Sequence, residues 1–154
     1  IYQKIYSLNE SLKIDFNIKK PKIAIAGINP HAGEDGMIGH EEINFLNPVI
    51  KKLKINSVHI DGPFSASTMF NNLNRKKYNC FICIYHDQAL IPFKIICPFG
   101  GVNFTSSLRI IRTSPDHGTA YDLINTNKAN NQSLINSFII AEKIYTNRLK
   151  NEFN

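Results

Sequence analysis

The sequence predicts a three-layer α/β domain with a largely parallel sheet. Short strand-like runs alternate along the chain with longer stretches of helical periodicity. The runs are apolar at successive positions, which is typical of strands covered by helices on both faces. With 154 residues, 43% of them apolar and 19% charged, the chain is long enough for one domain with its own core. We therefore predict a single α/β domain over residues 1–154.

The first half of the chain contains two of the predicted strands. Apolar residues at helical spacing open the chain, and compact apolar runs that end at proline or glycine follow. Proline fits the first turn of a helix, so Pro48 is expected to restart one. The predicted elements are a lead-in helix within 1–20, a strand over 22–28, a glycine-rich loop through Gly39, a helix from about Glu41, and a strand over 57–61.

The second half adds a third strand and a long closing helix. Ser65 or Ser67 is a suitable N-terminal cap for a short helix that ends near Leu73. The remaining predicted elements are a strand over 80–85, an extended segment over 102–113, a turn over 114–116, a helix from Gly118, and a closing helix over 133–150 whose apolar stripe is Leu134, Phe138, Ala141, Ile144 and Tyr145.

The net charge of +6 first suggests a nucleic-acid partner. The basic residues are scattered, however, and the excess of Ile, Asn and Lys is typical of an AT-rich coding sequence, so no nucleic-acid partner is expected. The chain shows no signal peptide and no apolar stretch long enough to span a bilayer. We therefore expect a cytoplasmic protein without a membrane partner. The chain begins with Ile1, which suggests a piece of something longer.

Cys80 and Cys83 have the C-x-x-C spacing of a redox or zinc half-site. They lie in an apolar, strand-like run, where residues an odd number of positions apart point to opposite faces. The pattern therefore favours small apolar side chains in the core over a shared metal, and a reducing compartment is the default.

Two histidines follow predicted strands, where ligands collect in parallel sheets. His31 lies in the loop after the first strand, and His86 is placed in a loop after the third, next to Asp87. A neutral imidazole binds zinc, cobalt or manganese well, and Asp87 could orient the ring of His86. A histidine taken alone is more often structural, whereas the two together on strand-end loops fit a structural and a metal-binding role equally well. A catalytic metal usually has three protein ligands. His40 and His59 are interpreted as ordinary surface or strand positions.

Lys94 and Arg112 are candidate contacts for an anionic substrate, because Arg offers a planar fork and Lys a point charge. The apolar flanks of Arg112 predict a partly buried guanidinium, whereas Arg109 has a weaker case. The run 116–120 precedes a predicted helix whose first N–H groups could hold a pyrophosphate or adenosine, and an ordinary helix start explains it equally well. No G-x-G-x-x-G motif is present, so a Rossmann site is not supported.

These motifs together resemble the C-terminal half of the 4-hydroxythreonine-4-phosphate dehydrogenase family of vitamin B6 biosynthesis. The matching pieces, from residue 22 onward, are GINPHAGE at 27–34, Glu41-Glu42, the DGP step at Asp61, YHDQ at 85–88, GVN at 101–103 and IRTSPDHGTA at 111–120. The resemblance implies an isocitrate/isopropylmalate-dehydrogenase-like fold and a homodimer with the site at its interface. It also implies NAD, a divalent metal (Zn, Mg or Co), and oxidation with decarboxylation of a small phosphorylated substrate, 4-phosphooxy-L-threonine.

Carried over residue by residue, the resemblance gives roles to nine positions and assigns no catalytic residue. His31 and His86 match metal ligands, while Lys94, Asn103 and Arg112 match substrate contacts. The segment His117, Gly118, Thr119 and Ala120 is similar to the adenosine-side NAD loop of the wider dehydrogenase superfamily.

The chain also departs from the family pattern. A third metal-binding histidine and a substrate-binding His-Thr pair would lie upstream of residue 1. Ser67 replaces a family Asp, Gly100 replaces an Arg before GVN, and Ser107 replaces a glycine. We therefore expect the C-terminal half of a longer enzyme with incomplete activity. Two alternatives stay open: a dehydrogenase of a related phosphorylated hydroxy acid, and a catalytically inactive truncated remnant.

Overall fold

The computed structural model describes residues 1–126 and 128–152, without the side chains of Asp122 and Glu152. Helices and strands alternate through the first hundred residues, as predicted. The elements are α1 (Tyr2–Ile14), β1 (Lys22–Ala26), a turn over Pro30–Gly36, a π-helical turn over Glu42–Leu46, α2 (Asn47–Ile55), β2 (His59–Phe64), α3 (Ala66–Met69), α4 (Asn72–Lys77), β3 (Cys80–Ile82), α5 (His86–Ile96), β4 (Val102–Phe104), β5 (Thr113–Pro115), a short turn over Tyr121–Leu123, and α6 (Gln132–Glu152).

The main sheet is parallel and has the strand order β2-β1-β3. The central strand pairs with both neighbours, so Ile23 lies opposite Ile60 on one side and Cys80 on the other. Because all three strands run in the same direction, their carboxyl ends meet at one edge. The segments that carry His31 and His86 leave the sheet at that edge.

The two faces of β1 contact different helical layers. Ile23 and Ile25 join a buried cluster with residues of α1 and α2, whereas Ala24 and Ala26 join a second cluster that contains Met69. The alternation follows from the period of two in a strand. Helices therefore cover both faces of the sheet, which confirms the three-layer prediction.

The cysteines divide between the same two layers. Cys80 packs against the first cluster and Cys83 against the second, as their odd spacing predicts. Burial raises the pKa of each of these thiols to about 11. Both therefore stay protonated at neutral pH and behave as core side chains.

The predicted extended segment over 102–113 is wrong in detail. Its ends form β4 and β5, an antiparallel hairpin in which Asn103 lies opposite Ser114. The intervening residues turn the chain back, and Ser107 adopts a positive φ of 65° to do so. Part of the predicted turn over 114–116 is therefore strand.

The sequence prediction is also wrong for two helices. His86 does not lie in a loop but is the first residue of α5, a helix that the internal Pro92 made hard to predict. The helix expected from Gly118 is absent. Ala120 takes a left-handed conformation with φ 45°, and only the three-residue turn Tyr121–Leu123 follows.

α6 buries a different face from the predicted apolar stripe. Ile144 is fully buried, but Leu134, Phe138 and Tyr145 are exposed, Phe138 by 70%. The buried positions include Ser133 and Ser137, whose small side chains let the helix approach the β4–β5 hairpin. Ser133 donates a hydrogen bond to the Gly101 backbone oxygen. The helix therefore packs through small polar residues and leaves an apolar face exposed.

A polar junction joins α1 to α6. The Asp15 side chain is 3% exposed, and its carboxylate forms an ion pair with Arg148 Nε at 2.7 Å. Asn147 Nδ2 donates a hydrogen bond to the Asp15 backbone oxygen, also at 2.7 Å.

In the part of the chain that the structure describes, no helix has the length and apolar character that crossing a bilayer requires.

Candidate functional site

The two candidate metal ligands lie at the carboxyl edge of the sheet, after neighbouring strands. His31 belongs to the turn after β1, and His86 begins α5 after β3. Both side chains are accessible, by 64% and 77%, so neither is a core histidine. His86 Nδ1 lies 2.7 Å from Asp87 Oδ1, as expected for a carboxylate that orients the ring. The two rings line separate cavities.

Gln88 links the segments that follow β1 and β3. Its Nε2 donates to the Gly27 backbone oxygen at 3.0 Å. Its Oε1 accepts from the backbone N–H groups of Ile84 and Tyr85, at 3.0 and 3.3 Å. One carboxamide therefore caps α5 and ties it to the start of the His31 turn. Gln88 belongs to the YHDQ motif, but the sequence alone did not predict this role.

The turn that carries His31 has an unusual backbone. Residues 31–35 all have positive φ, and His31 itself has φ 53° and ψ 22°. A non-glycine residue in this left-handed region costs about 1–2 kcal/mol. Only Gly33 avoids that cost, so other interactions must hold the turn in place.

Glu42 supplies such interactions from the π-helical turn. Its side chain is buried, and its Oε1 accepts 2.7 Å hydrogen bonds from the backbone N–H groups of Ile28 and Asn29. Its Oε2 accepts a third, at 2.9 Å, from Asn29 Nδ2. Hydrogen bonds to a charged group contribute about 1.5–3 kcal/mol each, enough to offset much of the strain.

The charge state of Glu42 follows from the same contacts. Burial alone pushes the pKa of this carboxyl upward, but the hydrogen bonds from Asn29 and Ile28 outweigh it and leave the pKa below its ordinary value. Glu42 is therefore an anion at neutral pH. Its role could not be derived from sequence, because it depends on contacts with residues 13 and 14 positions away.

A cavity of about 910 Å³ opens beside α5 and the β4–β5 hairpin. Its wall is largely aromatic and aliphatic, and its polar lining includes His86, Asn103 and Asp116. The structure thus brings a candidate metal ligand and a candidate substrate contact to one cavity. Asp116 lines the same cavity and contacts the candidate cation Lys94.

The two candidate cations have different surroundings. Lys94 Nζ contacts Asp116 Oδ2 at 2.7 Å and the Asp116 backbone oxygen at 2.6 Å, so its ammonium group is already neutralised. Arg112 is exposed, and its Nη1 donates to Thr105 Oγ1 at 2.9 Å. The expectation of a partly buried Arg112 is therefore wrong, because Arg112 precedes β5 and its side chain lies at the surface.

The candidate cofactor segment is open to solvent. His117, Gly118, Thr119 and Ala120 are all exposed, and His117 Nδ1 lies 3.0 Å from the Gly118 backbone oxygen. No helix begins at Gly118 to aim its N–H groups at a phosphate, so the predicted phosphate site at a helix start is wrong. The assignment now depends on the resemblance alone.

One departure from the family pattern removes a carboxylate. Ser67 is exposed and its Oγ lies 2.9 Å from Ser65 Oγ, so no carboxylate stands there. Within residues 1–126 and 128–152, no group of three His, Cys, Asp or Glu side chains could hold a metal ion. The described residues therefore supply two imidazoles but not a complete metal centre.

Comparison with known proteins identifies the family. The sequence model of the family described as pyridoxal phosphate biosynthetic protein PdxA matches residues 1–141. The chain is 49% identical to the 4-hydroxythreonine-4-phosphate dehydrogenase of Bradyrhizobium diazoefficiens, over 86% of this chain and 39% of that protein. It is 47% identical to the enzyme of the same name from Zymomonas mobilis, over 90% of this chain and 42% of that one.

The fold agrees with the sequence match. The crystal structure of 4-hydroxythreonine-4-phosphate dehydrogenase from Klebsiella pneumoniae superposes with a TM-score of 0.77 at 33% identity, over 91% of this chain and 42% of that chain. The isocitrate/isopropylmalate-dehydrogenase-like fold is thereby confirmed. The chain spans about two fifths of the length of the curated relatives it matches.

Proposed function

We propose, because the chain belongs to the pyridoxal phosphate biosynthetic protein PdxA family, that it is part of a 4-hydroxythreonine-4-phosphate dehydrogenase. The proposed enzyme oxidises the secondary alcohol of 4-phosphooxy-L-threonine with NAD, and the resulting β-keto acid loses carbon dioxide. The observation that carries the proposal is the sequence match over most of the chain, with the GINPHAGE and YHDQ motifs following neighbouring strands of the sheet.

The chain's own contribution to that reaction is binding and orientation. Arg112 has a free edge of its guanidinium for the substrate's phosphate or carboxylate, since one nitrogen is engaged by Thr105. Lys94 would exchange part of its contact with Asp116 for the same anion. Asn103 offers a donor and an acceptor from the cavity wall. Holding the substrate in one geometry lowers the entropic part of the barrier.

His31 and His86 would be two ligands of a divalent metal, Zn, Mg or Co, in the complete enzyme. Such an ion supplies Lewis-acid polarisation of the hydroxyl oxygen. The described residues lack a third ligand, so the remaining ligands must come from outside them. Residues 117–120 would contact the adenosine side of NAD.

A homodimer is part of the proposal. α6 exposes Leu134, Ile135, Phe138 and Ile139, and α5 exposes Ile91 and Ile95. Apolar side chains grouped on a helix face are typical of association surfaces. Their exposure supports a dimer whose site lies at the interface.

We also propose that the enzyme acts in the cytoplasm.

Metal binding tests the proposal directly. The chain alone should bind zinc weakly, because loss of one ligand or its support commonly costs about 10–100-fold in affinity. Isothermal titration calorimetry should show a further loss in His31→Ala and His86→Ala. His59→Ala, which removes an exposed histidine of β2, is the matched control and should leave the affinity unchanged. Tight zinc binding that survives His31→Ala and His86→Ala together would refute the site.

A second expectation concerns activity. The chain alone should show no measurable reduction of NAD with 4-phosphooxy-L-threonine, because it lacks a third metal ligand among its described residues. Addition of the N-terminal half of a family member in trans should restore some activity if the halves dock. NADH absorbance measures both cases. Full activity of the chain alone would show that its site is complete as it stands.

A further inference from the structure

Glu42 has no part in the reaction proposed above, yet its carboxylate is buried beside the turn that carries His31. We propose that Glu42 is a positioning residue, which holds this turn in its left-handed conformation and so fixes the direction of the His31 imidazole. The inference rests on the proposed function, because the orientation of the His31 imidazole affects the chemistry only if His31 binds a metal.

The hydrogen bonds of Glu42 go to the start of the turn. Oε1 accepts hydrogen bonds from the backbone N–H groups of Ile28 and Asn29, both at 2.7 Å, and Oε2 accepts one from Asn29 Nδ2. The Asn29 backbone oxygen in turn accepts the N–H of Ala32 at 3.1 Å. The carboxylate thus holds Asn29, whose backbone oxygen accepts the first hydrogen bond within the turn.

Two glycines bring the backbone close to the carboxylate. A Cβ atom at Gly33 would lie 2.6 Å from Glu42 Oε2, and one at Gly27 would lie 3.0 Å from Glu42 Oε1. Both distances are shorter than ordinary contacts, so a larger residue at either position would push the carboxylate away. The carboxylate therefore packs closely against both the turn, at Gly33, and the chain that enters it, at Gly27.

Glu41 is a natural control for charge. It precedes Glu42 in sequence, is exposed, and its Oε2 accepts Asn29 Nδ2 at 2.7 Å. The backbone N–H groups of Ile28 and Asn29 go to Glu42 instead. Glu41→Gln and Glu42→Gln therefore remove the same charge from the same region and both change a contact with Asn29 Nδ2, but only the second weakens the acceptor of the two backbone N–H groups.

The first experiment compares these variants in the full chain. In Glu42→Gln a neutral amide oxygen replaces the charged acceptor of the Ile28 and Asn29 backbone N–H groups. Zinc affinity measured by calorimetry should therefore fall about tenfold or more, as for other supports of a metal ligand. Amide NMR signals of residues 31–35 should shift, while those of α6 stay in place. Glu41→Gln, which leaves both backbone contacts of Glu42 in place, should change both much less. Equal effects of the two variants, or unmoved signals at 31–35, would overturn the inference.

The second experiment separates positioning from general stability. Ala32 has φ 55°, a conformation that glycine adopts without penalty. Ala32→Gly in the Glu42→Gln background should therefore restore zinc affinity and the wild-type signals of the turn. If it restores neither, Glu42 does not act through the turn and the inference is wrong.

The outcome at His31 distinguishes the two proposals. If His31→Ala weakens zinc binding and Glu42→Gln does not, the metal site stands and the positioning role fails. If His31→Ala has no effect on zinc affinity, the proposed metal site fails. The NMR signals of residues 31–35 then still decide whether Glu42 holds the turn.

Discussion

Replacement of Arg148 by methionine is expected to lower the free energy of unfolding by about 3–5 kcal/mol, because it leaves a buried carboxylate unpaired. Asp15 is 3% exposed and its partner Arg148 is 20% exposed, so water screens the pair poorly. Arg148 also donates from Nη1 to the Arg109 backbone oxygen at 2.8 Å. Urea unfolding followed by circular dichroism measures the change.

Two further variants show where that loss arises. Arg109→Met removes an exposed side chain and keeps the backbone oxygen, so it should change stability by less than about 0.5 kcal/mol. Asp15→Leu combined with Arg148→Met removes the unpaired charge and should recover part of the loss. If Arg148→Met is no worse than Arg109→Met, the junction does not stabilise the fold.

Replacement of Arg112 by alanine should be the most damaging change to activity in an enzyme reconstituted from both halves. A charge-assisted contact to an anion in a desolvated site contributes about 2–5 kcal/mol. The fall in kcat/KM should then be roughly 30- to 5,000-fold. Arg112 is exposed in this chain, so the prediction also requires that substrate and the second half exclude water from it.

Arg109→Ala is the control for Arg112→Ala. Arg109 lies three residues earlier and is also exposed, but the family resemblance gives it no substrate contact. Its kcat/KM should stay within a few fold of the wild type. Steady-state kinetics on both variants decide the matter, and equal losses would mean that the anion site has been assigned to the wrong guanidinium.

The sequence predicted the parallel sheet well because β1 and β3 are short apolar runs. The first strand was predicted over 22–28 and ends at Ala26, and the third was predicted over 80–85 and ends at Ile82. Local sequence also predicted the restart of a helix at Pro48, which lies in the first turn of α2. Such features depend on neighbouring residues, which a sequence shows directly.

The errors arise where tertiary contacts decide the outcome. α6 buries Ser133 and Ser137 because the hairpin approaches closely there, so its apolar stripe does not mark the buried face. The start of α5 is fixed by Gln88, whose second partner, the Gly27 backbone oxygen, lies 61 positions away. The role of Glu42 likewise depends on where two turns meet, which periodicity does not reveal.

The junction between α1 and α6 has a consequence for the order of folding during translation. Asn147 reaches the backbone oxygen of Asp15 across 132 positions of sequence. At about 10 residues per second, α1 waits on the order of 13 s for this partner to be synthesised. Throughout that interval Ile5 and Leu12 can pack only on the sheet and α2, and Asp15 remains hydrated. A nascent chain arrested before residue 132 should therefore leave α1 sensitive to protease, and release of the complete chain should protect it.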